Sequence, residues 1–447
     1  MKSASVILGP ASRTQTVRPA SASSLAAQPP VAPEPTTTAS NRLLSRLRVC
    51  GTSTVYQRAS GVTLKVLSPA SRSSICCAVF VVLAALSAQA WTVYWNFGGD
   101  WTALFVVGAQ QHGRTQIATA PAYEFDNTLG YDGQYYRLLA HDPLMRADAR
   151  GSIDAPRMRW RRILTPALVH LVALGRADWI DSVYLAVTLG FLGVGVYFSC
   201  RIAARLGLAV WRGALFVAAP ATLVSLERQT IDLSLAALTV AFCWYALCDE
   251  RSWRLYAVAA LAPLARETGL ILPAALALES VAKRDWKRVG IAALCAAPTL
   301  GWAAWVAQQT PSEWGLMTSK VPFRALASRS LWLNPPPGLR PWAGVAAGLE
   351  HLALAGVWLA FGLALAALWK REQTALRLAA ALCVGGLAFV GYGGVWAEAY
   401  AFGRIVTPLL ILVAVDRPSW IGLAPALLIL PRIAAQLLTH VVGAGGG

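Results

Sequence analysis

Long apolar segments separated by short polar ones make up most of the chain after residue 74. A helix needs about 20 predominantly apolar residues to cross a bilayer, and several of these runs approach that length. A soluble domain could not bury so many of them. The pattern therefore predicts an all-α polytopic membrane protein with about 11 transmembrane helices. The apolar runs are Ile75–Trp95, Ile180–Cys200, Gly213–Leu226, Ile231–Cys248, Leu255–Ala265, Gly269–Ala282, Val289–Ala307, Trp342–Trp369, Ala375–Trp396, Phe402–Val415 and Trp420–Val441.

The basic residues lie mainly in the short gaps between these runs. The formal net charge of +17 would suggest nucleic-acid binding in a soluble protein. In a membrane protein, Lys and Arg instead collect in cytoplasmic loops. With a cytoplasmic N-terminus, twelve Lys and Arg residues lie in short inner gaps and three in short outer gaps. We therefore predict a multi-pass protein of the cell membrane, of the bacterial inner-membrane type, with a cytoplasmic N-terminus. We expect no nucleic-acid partner.

The chain divides into a polar tail followed by membrane segments and loops. The tail is rich in Ser, Ala, Pro, Thr and Arg and contains a single acid, Glu34, so it cannot bury enough apolar surface to fold. An organellar targeting segment has a similar composition, and both interpretations of the tail stay open. The predicted parts are a disordered basic cytoplasmic tail at 1–73, a transmembrane module at 74–310 with an outer loop at 96–162, a second outer loop at 311–341 and variable C-terminal transmembrane helices at 342–447.

The first outer loop ends in a basic cluster that the membrane pattern does not explain. Its sequence, RMRWRR, places four arginines beside a point where the chain enters the membrane from outside. Guanidinium groups bind phosphate well, so this run could hold a substrate phosphate or anchor the loop to lipid headgroups. The four arginines are Arg157, Arg159, Arg161 and Arg162.

A second charged pair interrupts an apolar stretch in LARETGLILP. A single helix over 255–282 would bury Arg266 and Glu267 near the middle of the membrane. Two shorter helices would instead meet at this pair and leave a recess in which charges are tolerated. We therefore predict a break at this pair, with Arg266 bound either to Glu267 or to a lipid phosphate.

The stretch GYDGQYYRLLAHDP, residues 130–143, carries acids and tyrosines in the first outer loop. From Asp132 onward it predicts a short helix with Tyr135 and Leu139 on one flank. Asp is a common helix N-cap, and tyrosines are common at headgroup level. Asp132 is equally well placed to act as a base at the membrane surface, and the residues alone do not decide between a cap and a base.

Asp132 to Ala140, read as Asp-x-x-Tyr-Tyr-x-x-x-Ala in a long loop after the first membrane helix, resembles the GT-C superfamily of membrane glycosyltransferases. Comparable acidic and aromatic motifs occur in oligosaccharyltransferase catalytic subunits, aminoarabinose transferases and GPI mannosyltransferases. Two later stretches are also similar: LARETGLILP and SLERQTIDLSLAALTVAFCWYAL, in which Asp232 opens the fourth helix. The resemblance covers roughly residues 75 to 310, and the longer string YDGQYYRLLAHDP…DAPRMRWRRILTPAL resembles a group of bacterial membrane proteins.

The resemblance implies transfer of a sugar from a polyprenyl-phosphate donor to a glycan, lipid or protein acceptor at the outer membrane face. In an inverting displacement, a carboxylate takes the proton of the acceptor hydroxyl and cations stabilise the leaving phosphate. Asp132 is the first candidate for the catalytic base, and Asp100, in NFGGDW, is the second. The candidates for binding the donor phosphate are Arg266, Arg157, Arg159, Arg161 and Arg162, and the supporting residues are Tyr135, Tyr136, Asp232, Glu267, Arg228 and Arg404.

No cofactor is assigned from the sequence. The acids Glu124 and Asp126 are the kind of oxygen ligands that a divalent metal ion accepts, but no tight Asp-x-Asp pair lies at the motif itself. Two further functions stay open: a lipid or solute transporter, which would carry charges near the middle of its spans, and a non-catalytic membrane protein of the same fold.

Overall fold

The computed structural model describes residues 54–59, 62–67, 69–112, 121–146, 153–311, 318–331, 342–370 and 372–443. Most of the predicted tail, residues 1–53, lies outside these ranges. The described part of the tail differs from the prediction, because two strands rich in β-branched residues, β1 (Thr54–Ala59) and β2 (Val62–Leu67), pair in an antiparallel sheet. The first helix then begins at Pro69, six residues before the predicted start of the apolar run.

The rest of the described chain is almost entirely helical. Its exceptions are two short parallel strands, β3 (Val107–Gly108) and β4 (Glu124–Phe125), and four 3₁₀ helices at Trp101–Phe105, Val210–Ala218, Glu267–Leu270 and Ala367–Trp369. The α-helices are α1 (Pro69–Asn96), α2 (Ala109–His112), α3 (Asp132–His141), α4 (Pro156–Arg161), α5 (Leu164–Val172), α6 (Ala177–Arg205), α7 (Pro220–Arg228), α8 (Asp232–Cys248), α9 (Trp253–Ala265), α10 (Ile271–Ala282), α11 (Trp286–Leu294), α12 (Ala297–Gln309), α13 (Arg324–Leu331), α14 (Trp342–Ala366), α15 (Ala375–Ala388), α16 (Gly393–Ala397), α17 (Ala399–Asp416) and α18 (Trp420–Gly443).

Within the described ranges, six helical segments are long and apolar enough to cross a membrane. A seventh is added if the 3₁₀ helix before α7 and α7 itself, which are bent by 59° at Ala219, count as one span. These are the helices of a multi-pass membrane protein, and the all-α class is confirmed. The predicted number of about 11 spans is not confirmed. The six segments are Ala70–Asn96, Ala177–Arg205, Trp286–Gln309, Gly344–Trp369, Ala399–Asp416 and Trp420–Leu438.

The difference in span number has a physical cause, because several predicted runs form helices shorter than the bilayer core. α8 has 17 residues, α9 has 13 and α15 has 14. At about 1.5 Å per residue, helices of 13 or 14 residues extend only about 20 Å, whereas the core is about 30 Å thick. The predicted break at Arg266 and Glu267 is present, since α9 ends at Ala265 and a 3₁₀ turn leads to α10.

α8 and α17 form the centre of the bundle. The first twelve residues of α8, from Asp232 to Cys243, are all buried, and α17 is buried over most of its length. A helix that is apolar all round is stable in this position, because every face packs against another helix. Both helices begin with polar residues among this apolar packing, and these beginnings bring charged groups into the protein interior.

The segment predicted to form a second outer loop, 311–341, is described at Pro311 and over 318–331. This segment packs on the end of α15: Thr318 forms an isolated bridge with Val390, the Ser319 amide donates to the Phe389 carbonyl at 2.9 Å, and the Phe323 amide donates to Ala388 at 2.6 Å. The described part of this loop is therefore fixed to the bundle by backbone hydrogen bonds.

The 3₁₀ helix before α7 lies directly on α6, and a glycine permits this contact. A Cβ atom at Gly213 would lie 2.2 Å from the Cys200 backbone nitrogen, and backbone atoms cannot move aside as a flexible side chain can. At Gly190, a glycine of α6 itself, a Cβ atom would meet nothing within 4 Å beyond its own helix. An added methyl group therefore has no room at Gly213 but ample room at Gly190.

We predict that Gly213→Ala destabilises the protein by about 1–3 kcal/mol, the usual cost of overpacking. Gly190→Ala, the matched control, should unfold at the temperature of the wild type or slightly above it, because Ala favours helix. Thermal unfolding in detergent micelles measures both. Equal unfolding temperatures for the two variants would contradict the contact between the 3₁₀ helix and α6.

Candidate functional site

The start of α3 is fixed against the end of α7 by close backbone packing. Gly133 follows Asp132, and a Cβ atom there would lie 2.2 Å from the Arg228 carbonyl oxygen. Gln134 anchors the preceding turn, because its side chain accepts a hydrogen bond from the Gly108 amide at 3.2 Å and donates one to the Leu129 carbonyl at 2.7 Å. These contacts hold Asp132 close to the interior of the bundle.

Asp132 is not a helix cap. The N-cap of α3 is Tyr131, which makes no side-chain capping hydrogen bond, and Asp132 is the first helical residue. Its carboxylate lies between two arginines: Oδ1 is 2.9 Å from Nη2 of Arg159, and Oδ2 accepts from Nη1 of Arg404 at 2.7 Å. The alternative in which Asp132 is the N-cap of the helix therefore does not hold, and the residue is the anionic centre of an ion-pair cluster.

Asp232 occupies the equivalent position at the start of α8. It forms an ion pair with Nη1 of Arg266, and its Oδ2 lies 3.3 Å from Nη1 of Arg404. Only 3% of its side chain is exposed. Arg404, on the second turn of α17, therefore binds both Asp132 and Asp232 through one guanidinium nitrogen.

These contacts form one series of alternating charges. Arg159 continues it beyond Asp132, because its Nε and Nη2 donate to the two oxygens of Asp154 at 2.9 and 3.1 Å. We call this series, with three carboxylates and three guanidinium groups, the charge chain. Buried charges are tolerated only when they are paired, and each member here neutralises its neighbours. In order, the charge chain is Asp154, Arg159, Asp132, Arg404, Asp232 and Arg266.

The two arginines control the protonation of Asp132. Burial alone would raise the pKa of this carboxyl, but the charges of Arg159 and Arg404 and their hydrogen bonds outweigh burial and hold the pKa well below its usual range. Asp132 is therefore ionised at physiological pH. A carboxylate held in this way is a weak base, because general bases act best when their pKa lies near the working pH.

A second ion pair connects the end of α4 to the break after α9. Arg162 donates from Nε to Oε2 of Glu267 at 2.8 Å and from Nη2 to Oε1 at 2.5 Å, and its Nη1 lies 3.3 Å from the Tyr136 hydroxyl. Glu267 thus pairs with Arg162, while Arg266 pairs with Asp232. The alternative in which Arg266 pairs with Glu267 is therefore wrong.

Aromatic rings line the cluster. The Arg228 guanidinium carbon lies 4.3 Å from the centre of the Tyr131 ring and 4.9 Å from that of Tyr400, and Arg404 lies 5.0 Å from the Tyr131 ring. The Tyr400 hydroxyl donates to Glu227 at 2.5 Å. Cations over aromatic faces are stabilised when water is excluded, so these rings help to hold the arginines in the interior. On the other side, Arg159 lies over the rings of Tyr135 at 4.7 Å and Tyr136 at 5.6 Å.

The arginines of the RMRWRR run have different surroundings in the structure. Arg159 and Arg162 are three residues apart on α4 and its C-cap and enter the cluster. Arg157 instead donates to the backbone carbonyls of Ala307 and Thr310 at 2.8 and 2.6 Å, so it fixes the end of α12. Arg161 is half-buried outside the charge chain. Of the four arginines predicted to hold phosphate or to anchor the loop, the structure brings Arg159 and Arg162 to the cluster and leaves Arg157 and Arg161 outside it.

Asp100, the second candidate base, has a structural contact. It is exposed and caps the 3₁₀ helix that follows it, accepting from the Thr102 amide at 2.9 Å and the Thr102 hydroxyl at 2.6 Å. Glu124 and Asp126 are also exposed. Over the residues that the structure describes, no group of three or more His, Cys, Asp or Glu side chains could hold a metal ion.

Several residues of the cluster are not evident from the sequence. Arg404 is one of the predicted supporting residues, and its position inside a candidate span is itself a signal of function. Asp154 is not among the predicted site residues, although its partner Arg159 is only five positions away. Tyr131, Glu227 and Tyr400 are also not among them, because their partners lie far away in the sequence. Tyr400 and Glu227, for example, are 173 positions apart.

Comparisons of the chain with family models, with curated proteins and with solved structures gave no match. The function proposed below is therefore based on the geometry of the charge chain and on the sequence motif.

We predict that Arg404→Gln destabilises the protein by about 3–5 kcal/mol, because it leaves Asp132 and Asp232 facing each other without the cation between them. Adding Asp132→Asn to this variant should restore much of the loss, since one of the two repelling charges is removed while Asp232 stays paired with Arg266 and Arg159 stays paired with Asp154. Thermal or denaturant unfolding in micelles measures both, with the exposed Arg176→Gln as control. Additive effects of the two substitutions would contradict the coupling.

Proposed function

We propose that the protein is a membrane glycosyltransferase of the GT-C type, which moves a sugar from a polyprenyl-phosphate donor to an acceptor at the outer membrane face. One observation carries the proposal: Asp132 lies among arginines contributed by the first loop, the break after α9 and the start of α17. A carboxylate for proton transfer and cations for a phosphate are therefore within one cluster, as the reaction requires.

The location suits an amphiphilic donor. The cluster lies where α8 and α17 begin and α9 ends, so the hydrocarbon chain of a lipid donor can remain beside the apolar helices while its phosphate reaches the arginines. The proposed orientation places this end of the bundle outside the cell and the N-terminus in the cytoplasm. In this proposal, the shorter helices α8, α9, α10 and α15 also lie within the membrane, which gives a GT-C-like arrangement of about 11 membrane segments.

The reaction proceeds as one displacement in this proposal. The acceptor oxygen forms a bond to the anomeric carbon, and the bond from that carbon to the phosphate oxygen breaks. The acceptor proton passes to the Asp132 carboxylate, and the electron pair of the broken bond leaves on the phosphate. Arg404, Arg159 and Arg266 stabilise the negative charge that develops on the phosphate. The configuration at the anomeric carbon is inverted because the acceptor attacks opposite the leaving group.

A transporter of lipids or solutes is the second candidate, and one contact favours it. Glu350 of α14 and Arg432 of α18 form an ion pair at 2.8 Å, and both residues lie inside candidate membrane spans. Arg432 also donates to Gln436 at 3.0 Å, and Gln436 donates to Glu398 at 2.8 Å. Charged groups within spans often mark a transport pathway.

The transferase proposal predicts that Asp132→Asn lowers transfer by roughly 100-fold or more, the range expected for loss of a general base. The assay uses purified protein with polyprenyl-phosphate sugars. Asp126→Asn, an exposed acid of the same loop, is the matched control and should keep wild-type activity. Full activity of Asp132→Asn, with loss in Asp100→Asn, would move the base to Asp100. Unchanged activity in both would contradict the mechanism, and lipid or solute movement without transfer would favour the transporter.

A further inference from the structure

We propose that Asp132 occupies the phosphate position between Arg159 and Arg404, so that a lipid-linked phosphate binds by displacing this carboxylate and thereby releases it to act as the base. The inference rests on the proposed function for the identity of the donor and the role of the base. The exchange of one anion for another between two arginines rests on the geometry of the charge chain alone.

The contacts of Asp132 are those that a phosphate would make. Its two oxygens lie 2.9 Å from Arg159 and 2.7 Å from Arg404, distances typical of guanidinium groups bound to either carboxylates or phosphates. The two arginines come from segments that are distant in the sequence, so they surround a position rather than forming a simple local pair. A phosphate that binds the two nitrogens now held by Asp132, Nη2 of Arg159 and Nη1 of Arg404, must take the place of the carboxylate.

The charges balance in this exchange. A polyprenyl-phosphate sugar is a phosphodiester with one negative charge, and the Asp132 carboxylate also carries one. When the first replaces the second, Arg159 and Arg404 stay neutralised and no buried cation is left without an anion. Arg159 also keeps its two hydrogen bonds to Asp154 throughout.

Of the two carboxylates that Arg404 binds, Asp132 is the one that is able to leave. About 22% of its side chain is exposed, compared with 3% for Asp232, so its carboxylate has access to water and to an acceptor. Asp232 stays between Arg266 and Arg404 and keeps both in place. The exchange therefore moves one partly exposed side chain and leaves the buried contacts of Asp232 intact.

Two further donors beside the charge chain support an anion as the missing partner. Among the residues that the structure describes, neither Nε of Arg266 nor the Tyr131 hydroxyl has a hydrogen-bond partner, although both atoms are buried. Buried donors without partners are unfavourable, and an anion entering the cluster could satisfy them. Arg266 is itself a member of the charge chain, and Tyr131 precedes Asp132 in the sequence and lies beside Arg404.

The consequence is that donor binding activates the base. While the two guanidinium groups hold Asp132, the pKa of its carboxyl stays well below its usual range and it accepts protons poorly. Once a phosphate has taken both guanidinium groups, the carboxylate loses the interactions that suppressed its basicity. The acceptor is therefore deprotonated only when a donor is bound.

The test is a binding measurement by isothermal titration calorimetry on the full chain in micelles. We expect Asp132→Asn to bind farnesyl phosphate about 10-fold or more tightly than the wild type, because the competing carboxylate is gone while both arginines remain. Inorganic phosphate is titrated in parallel. A gain for both probes identifies a site for phosphate in general, whereas a gain for farnesyl phosphate alone identifies a lipid headgroup. Equal or weaker binding of both probes would overturn the proposal.

Two variants separate displacement from a general effect of charge. Asp154→Asn removes a carboxylate from the same arginine without opening the position between Arg159 and Arg404. Asp416→Asn removes a carboxylate that is likewise shared by two cations, Lys370 at 2.9 Å and Arg377 at 2.8 Å, in another cluster. Both should change affinity by less than about threefold, a difference of only about 0.6 kcal/mol. A gain as large as that of Asp132→Asn in either variant would contradict displacement.

The binding measurement and the transfer assay test separate claims, because farnesyl phosphate carries no sugar and can bind without any transfer. Tighter binding in Asp132→Asn without any sugar transfer by the wild type would support the anion exchange and contradict the proposed enzyme. Sugar transfer by the wild type without tighter binding in Asp132→Asn would support the proposed enzyme and contradict the anion exchange. If Asp132→Asn does not fold, Asp132→Ala tests the same competition, because it also removes the carboxylate from between Arg159 and Arg404 and leaves Asp232 bound to Arg266. It should likewise tighten binding of farnesyl phosphate.

Discussion

Charges buried in an apolar helical bundle must be neutralised by other groups of the protein, and much of this structure follows from how the chain meets that requirement. Arg404 lies between two carboxylates, one from the first loop and one from the start of α8. Asp232 in turn binds Arg266, which fixes the break after α9. A loop, a helix start, a helix break and a late helix are thus held together by one series of ion pairs.

This arrangement explains why the first loop is folded into the bundle although its sequence is polar. Asp132 reaches its second guanidinium group, that of Arg404, only when the loop lies against α17, and Arg162 reaches Glu267 only when the loop meets the break after α9. Replacing buried ion pairs with apolar residues is often neutral or stabilising, so the pairs are weak evidence for a purely structural purpose. Their concentration at the end of the two central helices is better explained by a ligand that requires several cations.

Much of the fold could be predicted from the sequence because it depends on local patterns. Long apolar runs gave the all-α class, and Arg266 and Glu267 marked a helix break that is present. The span number could not be predicted, since a run of apolar residues does not reveal where Pro220 and its neighbours bend the chain by 59°. The pairing in the site was also out of reach. Asp132 and Arg404 are 272 positions apart, and only the packing of intervening helices brings them together.

The sequence motif and the geometry support each other at one point. The motif singled out Asp132 because of its neighbours in the loop, whereas the structure singles it out because two distant arginines share it. Neither a helix cap nor a headgroup anchor requires both properties. The proposed exchange, in which the Asp132 carboxylate is first bound and then released, makes use of both.

A cryo-electron microscopy structure with a bound polyprenyl phosphate would show directly whether phosphate binds between Arg159 and Arg404. We expect phosphate density within hydrogen-bond distance of both arginines, with the Asp132 side chain rotated away from them and Asp232 still bound to Arg266. Phosphate density elsewhere, with the contacts from Asp132 to Arg159 and Arg404 intact, would contradict it.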